Sequence, residues 1–135
     1  MTTTFAMTLM PGALAICRLP PDSPVPDWAW HGALQSISRT ADELSIVCAH
    51  DATPANGSRP GLHVDGPWRV FKLHGPFAFD MTGVVSTLTA PLAEAGVGVF
   101  VVSTYDTDWI LVKEEQTSRA VAVLQSAGHS VEIGR

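Results

Sequence analysis

Short blocks of apolar residues, separated by turn-forming residues, run through the first half of the chain and predict β strands. Gly12–Leu19 reads as one strand, and Gln35–Arg39 and Glu43–Ala49 read as two more, joined in a hairpin. Apolar runs of this length between clusters of Gly, Pro, Asp and Ser are typical of strands. The connections Pro20–Asp27 and His50–Gly66 are rich in proline, glycine and aspartate, so we predict loops there.

The second half of the chain switches between the strand period and the helix period. Trp68–His74 alternates as a strand does, and a helical stripe follows it, capped by Asp80 or Thr82 and ended by Gly96. Pro91 falls inside this helix and predicts a kink. The apolar residues of the stripe are Val84, Leu88, Leu92 and Ala95.

The next segments predict a hairpin, a second helix and a final strand. Val97–Ser103 is apolar at almost every position, which predicts a central strand covered on both faces. An acidic turn leads into its partner strand, Trp109–Lys113. The second helix opens at Glu114, and an edge strand, His129–Ile133, follows it. The predicted buried face of this helix contains Ala120, Val121, Leu124 and Ala127.

The two halves of the chain share a strand–turn–strand pattern. Ser38–Cys48 aligns without gaps on Ser103–Lys113, and both segments contain a serine, an acidic turn and an apolar strand. We therefore predict a tandem duplication, with a degenerate N-terminal unit at residues 7–66 and a C-terminal unit at residues 67–135. The second copy keeps the order βαββαβ, whereas the first has lost most of its second helix to a loop.

The composition favours a self-associating protein that binds neither nucleic acid nor a membrane. Of the 135 residues, 46% are hydrophobic and only 16% charged, whereas about 25% are charged in typical domains. The net charge of -5 argues against nucleic acid and anionic membranes, and no apolar run could span a bilayer. Cys17 and Cys48 lack metal-binding spacing, so we expect reduced thiols and a cytoplasmic location.

The first candidate for a binding role is a loop and helix start. It consists of Phe79, Asp80, Met81, Thr82, Gly83 and Val84. Gly83 lets another group approach the backbone closely, and the unpaired N–H groups of a first helical turn attract a carboxylate. The alternative is that Asp80 or Thr82 simply caps the helix. Residue chemistry alone leaves both interpretations open.

The second candidate is an acidic turn. It consists of Ser103, Thr104, Tyr105, Asp106, Thr107 and Asp108. Its carboxylates can accept charge-assisted hydrogen bonds from an ammonium or guanidinium group, although the same residues are ordinary turn formers. Asp80, Asp106 and Asp108 also offer oxygen ligands to a hard cation, but no calcium-loop motif is present, so we expect no metal and no cofactor. Nucleophile-elbow, dinucleotide and P-loop motifs are absent too, and we expect no enzyme activity.

The segment TGVVSTLTAPLAEAGVGVFVVSTYDTDWILV, residues 82–112, resembles an ACT domain, a ligand-binding module of amino-acid regulation. It is most similar to short bacterial tandem-ACT proteins related to aspartate kinase regulatory domains and CASTOR-type arginine sensors. The resemblance covers roughly Trp68–Glu132. It implies an α+β fold of tandem ferredoxin-like ACT units, with joined antiparallel sheets and helices on one face. It also places an effector at the loop around Gly83 and at the strand end that holds Ser103, Thr104, Tyr105, Asp106 and Asp108.

We therefore expect a non-catalytic sensor that binds a free amino acid and acts in trans or as a homo-oligomer, most simply a homodimer. The ligand is expected between the two units, where it would shift an equilibrium that a partner protein reads. The acidic turn favours a cationic amino acid. The alternative is a structural or protein-interaction ACT module that binds no small molecule.

Overall fold

The computed structural model describes residues 3–77 and 82–135 of the chain. Within these ranges it contains eight β strands, two α helices and three short 3-10 turns. In chain order the strands and helices are β1 (Ala6–Leu9), β2 (Leu14–Leu19), β3 (Ser36–Arg39), β4 (Leu44–Ala49), β5 (His63–Leu73), α1 (Val84–Glu94), β6 (Val99–Ser103), β7 (Asp108–Lys113), α2 (Thr117–Ser126) and β8 (Ser130–Ile133). The 3-10 turns are Asp27–Trp30, His50–Ala52 and Glu114–Gln116. Neither described helix is long and apolar enough to cross a membrane.

The chain divides into two compact units, one of which draws on both halves of the sequence. The N-terminal unit is Gly12–Trp68, and the C-terminal unit combines Met1–Pro11 with Arg69–Arg135. The chain passes from the N-terminal unit to the C-terminal unit between Trp68 and Arg69. The strand β1 pairs with β5 and β8 and lies in the C-terminal unit.

The C-terminal unit has the strand order β8–β1–β5–β7–β6. β1 runs antiparallel to β5, with Met7 opposite Leu73, and parallel to β8, with Met7 opposite Val131. β6 and β7 form an antiparallel hairpin in which Ser103 faces Asp108. The N-terminal segment of the chain therefore lies between two strands that come from the C-terminal half.

Both helices pack on one shared core in this unit. Val84, Leu88 and Leu92 of α1 are buried at a spacing of four residues, as are Ala120 and Leu124 of α2. This spacing places each set on one helix face, which confirms the predicted stripes at these positions. The other buried members of the core are Met7, Leu9, Phe71, Leu73, Val97, Ile110 and Val112.

The two helices end in the same way. At the end of α1 the N–H of Gly96 donates to the Ala93 carbonyl at 3.0 Å, and the N–H of Val97 donates to the Leu92 carbonyl at 2.9 Å. This pair of bonds is a Schellman motif, which needs the left-handed conformation that Gly96 adopts with φ 77°. The residues after α2 repeat the pattern around Gly128, at φ 95°. The predicted glycine stops are therefore present at both helix ends.

β6 is an edge strand in the described structure, which corrects the prediction of a central strand covered on both faces. It pairs only with β7, and its four apolar residues are half-buried. Val99 and Val101 pack against the core, so strand alternation directs Phe100 and Val102 to the opposite face. An apolar run indicates that neither face is polar, but it does not report how many strands lie alongside.

The N-terminal unit is built on the antiparallel order β3–β4–β2–β5. Its buried cluster consists of Ala15, Cys17, Ala29, Leu44, Ile46 and Cys48. Both cysteines are free thiols. Residues 12–68 contain two 3-10 turns but no α helix.

The β3–β4 and β6–β7 hairpins match each other with a one-residue shift from the gapless sequence alignment. Their turns occupy residues 40–43 and 104–107. In each turn the N–H of the first threonine, Thr40 or Thr104, donates to the carbonyl of the fourth residue at 2.9 Å. Thr40 therefore matches Thr104, whereas the alignment paired it with Tyr105. The hydrogen-bonded turn, rather than the apolar strands on either side of it, shows which residues of the two hairpins correspond.

Candidate functional site: a cleft between a helix start and an acidic turn

The turn between β6 and β7 is held by hydrogen bonds from its own residues. Thr104 donates its backbone N–H and its hydroxyl to the Thr107 carbonyl, at 2.9 and 3.0 Å. The Ser103 hydroxyl donates to Oδ1 of Asp108 at 2.5 Å. This bond orients the half-buried carboxylate of Asp108. Tyr105, at the tip of the turn, is 79% exposed.

The turn is also tied to the segment that follows β5. The buried Thr107 hydroxyl donates to the Leu73 carbonyl at 2.8 Å, and the N–H of Phe77 donates to the Asp106 carbonyl at 2.8 Å. A Cβ atom on Gly75 would lie 2.5 Å from the Asp106 carbonyl oxygen, so only glycine permits this approach. The backbone of the segment that follows β5 therefore fixes the positions of Asp106 and Asp108.

The helix α1 begins at Gly83, which is the N-cap and has φ 79°. Among residues 3–77 and 82–135, no side chain forms a capping hydrogen bond to the first turn. The prediction that Thr82 caps this helix is wrong, and Asp80 lies outside the described residues. The first intrahelical bond runs from the N–H of Thr87 to the Gly83 carbonyl at 2.9 Å. Helix geometry leaves the earlier N–H groups without intrahelical acceptors.

The helix start and the turn enclose a cleft of about 330 Å³. Its lining residues are Phe77, Gly83, Val84, Val85, Ser86, Ser103, Thr104, Tyr105, Asp106, Thr107 and Asp108. On one side are the first-turn N–H groups and the partial positive charge of the helix dipole. On the other side are two carboxylates. This arrangement suits a small molecule that carries a negative and a positive group.

The structure brings together most of the predicted site residues. Gly83 and Val84 lie in the same cleft as the predicted turn residues Ser103, Thr104, Tyr105, Asp106 and Asp108. Thr82 is exposed and does not line the cleft. Phe79, Asp80 and Met81 lie outside the described residues.

Four residues that line the cleft were absent from the predicted set. They are Phe77, Val85, Ser86 and Thr107. Ser86 and Val85 could have been found by extending the helix start over its full first turn. Phe77 follows a Gly-Pro pair and is positioned by an edge-to-face contact with Phe5, with ring centroids 5.8 Å apart. No local pattern signals that contact, because Phe5 lies near the other end of the sequence.

The described residues offer no cluster that would hold a metal ion. Over residues 3–77 and 82–135, no group of three or more His, Cys, Asp or Glu side chains comes close enough together. The cleft also has no cysteine or histidine among its lining residues. Its described groups are donors and acceptors that can bind and orient a ligand.

Comparison with known families assigns the fold to a class. Residues 63–126 match the model of the ACT domain, and residues 12–56 match the model of a separate N-terminal domain. Residues 63–126 of the chain therefore form an ACT domain. The α+β, ferredoxin-like architecture predicted for it is confirmed.

The chain also resembles known proteins, over different lengths. A crystal structure of a protein from Agobacterium tumefaciens shares 40% identity at a TM-score of 0.88, over 99% of this chain and 96% of the other. The regulatory subunit of aspartate kinase from Thermus flavus has 11% identity and a TM-score of 0.62, over 94% and 98%, and so shares the fold. The cytosolic arginine sensor for mTORC1 subunit 1 of Rattus norvegicus is 36% identical over 59 residues, or 43% of this chain. That match spans only 18% of the sensor's length.

Proposed function

We propose that the chain is a regulatory module that binds a free amino acid in the cleft between α1 and the β6–β7 turn. The observation that carries the proposal is the placement of first-turn N–H groups, which have no intrahelical acceptor, opposite an oriented carboxylate, Asp108. An α-amino acid presents a carboxylate and an ammonium group on one carbon, so it complements both sides of such a cleft.

The helix start would receive the carboxylate of the ligand. The N–H groups of Val84, Val85 and Ser86 are the donors, and the helix dipole adds a favourable field. Gly83 has no side chain to block the approach. Ser86 donates its hydroxyl to the Gly83 carbonyl at 3.2 Å, which keeps the hydroxyl close to this backbone.

The turn would receive the ammonium group. Asp108 is the acceptor, oriented by Ser103, and a charge-assisted bond to it is stronger than a neutral one. Asp106 supplies a second negative charge at the cleft, which favours a ligand with a cationic side chain. The name of the arginine sensor describes such a ligand, and its similarity to this chain supports the proposal.

Binding of the ligand would have a regulatory effect. Bound ligand would bridge the helix start and the turn and so stabilise one conformation or one oligomeric state over another. ACT domains and the sensor are regulatory rather than catalytic. We propose that the chain likewise acts without turnover, through a homodimer or a partner protein in the cytoplasm.

The proposal is tested by thermal denaturation of the chain in the presence of each of the twenty amino acids. A ligand at 100 times its dissociation constant adds about 2.7 kcal/mol to the free energy of unfolding, which raises Tm by several degrees. We expect Asp108→Asn to lower the affinity about tenfold or more, because it removes the charge but keeps an acceptor for Ser103. Asp42→Asn is the matched control, since it removes one carboxylate from the corresponding turn of the N-terminal hairpin.

Three results would contradict this function. The first is the absence of a Tm shift with any of the amino acids, which would favour the structural or protein-interaction module instead. The second is a shift that Asp108→Asn leaves intact. The third is an equal loss of the shift in Asp108→Asn and Asp42→Asn, which would point to an effect of net charge.

A further inference from the structure

The walls of the amino-acid cleft carry charge of one sign. The described residues that line it include the carboxylates of Asp106 and Asp108 but no cationic side chain. Asp108 is assigned to the α-ammonium group of the ligand, which leaves Asp106 for the ligand's side chain. A cleft lined by one sign of charge concentrates groups of the opposite sign. A cationic side chain that enters this cleft therefore meets attraction and no like charge from the described walls.

Tyr105 lies beside Asp106 at the tip of the β6–β7 turn and lines the same cleft. The residue is 79% exposed, so most of its surface is accessible to a ligand. The backbone on both sides of the ring is fixed. Thr104 donates its N–H to the Thr107 carbonyl at 2.9 Å, and the Asp106 carbonyl accepts a backbone N–H from the segment after β5 at 2.8 Å. The ring is therefore carried by a well-defined turn at the edge of the cleft.

An aromatic ring next to a carboxylate is a favourable surface for a planar cation. The face of a tyrosine ring attracts a cation that lies within about 6 Å of its centre. A guanidinium group is planar and weakly hydrated, so it can stack on a ring while its N–H groups donate to a carboxylate. A primary ammonium group is compact and strongly hydrated, and it gains less from an exposed ring.

The same unit already contains one contact between a cation and an aromatic ring. The Nζ atom of Lys72 lies 5.4 Å from the centroid of the Trp109 ring. Both residues line a neighbouring cavity of about 300 Å³, which Asp106 also lines. Lys72 is not among the residues that line the amino-acid cleft, so its charge lies outside the walls of the proposed site.

We propose that Tyr105 determines the specificity of the amino-acid cleft. The ring stacks on a guanidinium-type side chain of the ligand, Asp106 accepts the N–H groups of that side chain, and Asp108 holds the α-ammonium group. This inference rests on the proposed function. It adds a preference for a planar cation over a neutral group of the same shape.

The test measures the dissociation constants of L-arginine and L-citrulline for the full chain by calorimetry at constant ionic strength. Citrulline replaces the guanidinium with a neutral urea of nearly the same shape, so the ratio of the two constants reports recognition of the charge. We expect arginine to bind about tenfold more tightly than citrulline. Tyr105→Leu should lower this ratio about threefold, because it removes the ring and keeps an apolar side chain. Tyr105→Trp should raise it, since an indole attracts cations more strongly than a phenol ring does.

Three further variants separate the role of the ring from other effects. Trp30→Leu removes another exposed aromatic residue, 57% exposed and in the N-terminal unit, and should keep the parent's ratio. Asp106→Asn should lower the ratio, because it removes the charge that attracts the side chain of the ligand. Asp108→Asn should weaken binding of both ligands about equally, because both carry the same α-ammonium group.

Equal binding of arginine and citrulline by the parent would overturn the inference, because the charge would then not be recognised. So would a parental ratio in Tyr105→Leu, or an equal fall of the ratio in Tyr105→Leu and Trp30→Leu. Binding of neither ligand, in a chain whose Tm still responds to another amino acid, would overturn this inference and leave the proposed function standing. A chain whose Tm responds to no amino acid would overturn both.

Discussion

His129 is a buried titratable residue whose surroundings favour the neutral ring. It is 4% exposed, its Nδ1 accepts the N–H of Phe5 at 3.0 Å, and its ring stacks on Phe5. Burial lowers the pKa of His129, and the nearby carbonyl of Thr87 opposes this only in part. Protonation would also remove the acceptor for Phe5. The imidazole therefore links the N-terminal segment to the last strands of the same unit only while it is neutral.

We expect this residue to make stability depend on pH. The unfolded chain protonates His129 near the usual pKa of about 6.5, whereas the folded chain does so only at lower pH. Between these values the unfolded state binds more protons, so the free energy of unfolding falls as pH is lowered below about 6.5, by at most about 1.4 kcal/mol per pH unit. Above that range the contribution is constant.

Urea denaturation of His129→Asn between pH 4.5 and 8 tests this dependence. Asparagine keeps an acceptor for the Phe5 N–H but does not titrate, so the slope below pH 6.5 should become shallower. His63→Asn, at an exposed histidine, is the control and should keep the parent's slope. A parental slope in His129→Asn would assign the dependence to other groups.

At the scale of secondary-structure elements, the sequence predicted the features that depend on local periodicity. The buried positions of α1 and the glycine stops follow from helical spacing and from the left-handed conformation that Gly96 supplies. The missing cap at Thr82 could not be predicted, because a capping residue type does not ensure the bond. The edge position of β6 depends on its neighbours, which its own residues do not encode.

The β6–β7 turn gives a prediction at the scale of secondary-structure elements. We expect Gly75→Ala to lower the free energy of unfolding by about 1–3 kcal/mol, because the new methyl would overlap the Asp106 carbonyl and displace the turn. The ligand-induced Tm shift should fall with it. Gly98→Ala is the control, since its Cβ meets no atom within 4 Å and its φ is not left-handed. Chemical denaturation of both variants checks the prediction, and equal effects in the two would refute it.

At the scale of the whole molecule, the sequence predicted the class of fold and seven of the eleven described residues that line the cleft. The duplication pattern and the ACT resemblance located the turn and the helix start. The sequence did not reveal that β1 pairs with β8, or that Phe77 contacts Phe5. Both join residues that are far apart in the sequence, and neither side of such a contact carries a periodic signal of its own.

The two cysteines report on opening of the N-terminal unit. Cys17 and Cys48 are 2% and 0% exposed, and the hydrogen bond between them, together with burial, raises the pKa of the Cys17 thiol. We expect Ellman's reagent to modify neither thiol in the native protein and both after denaturation in guanidinium chloride. Rapid modification of one thiol under native conditions would show that the N-terminal unit opens locally.

The parallel pair of β1 and β8 has a consequence for biosynthesis. The Phe5–His129 bond at this junction joins residues that are 124 positions apart, so the ribosome makes one partner first and the other much later. At typical elongation rates of 5–20 residues per second, the nascent β1 waits roughly 6–25 s for β8. During that interval its apolar residues, Met7 and Leu9, have no completed core to enter. Chaperone capture of nascent chains should therefore peak before β8 emerges from the exit tunnel.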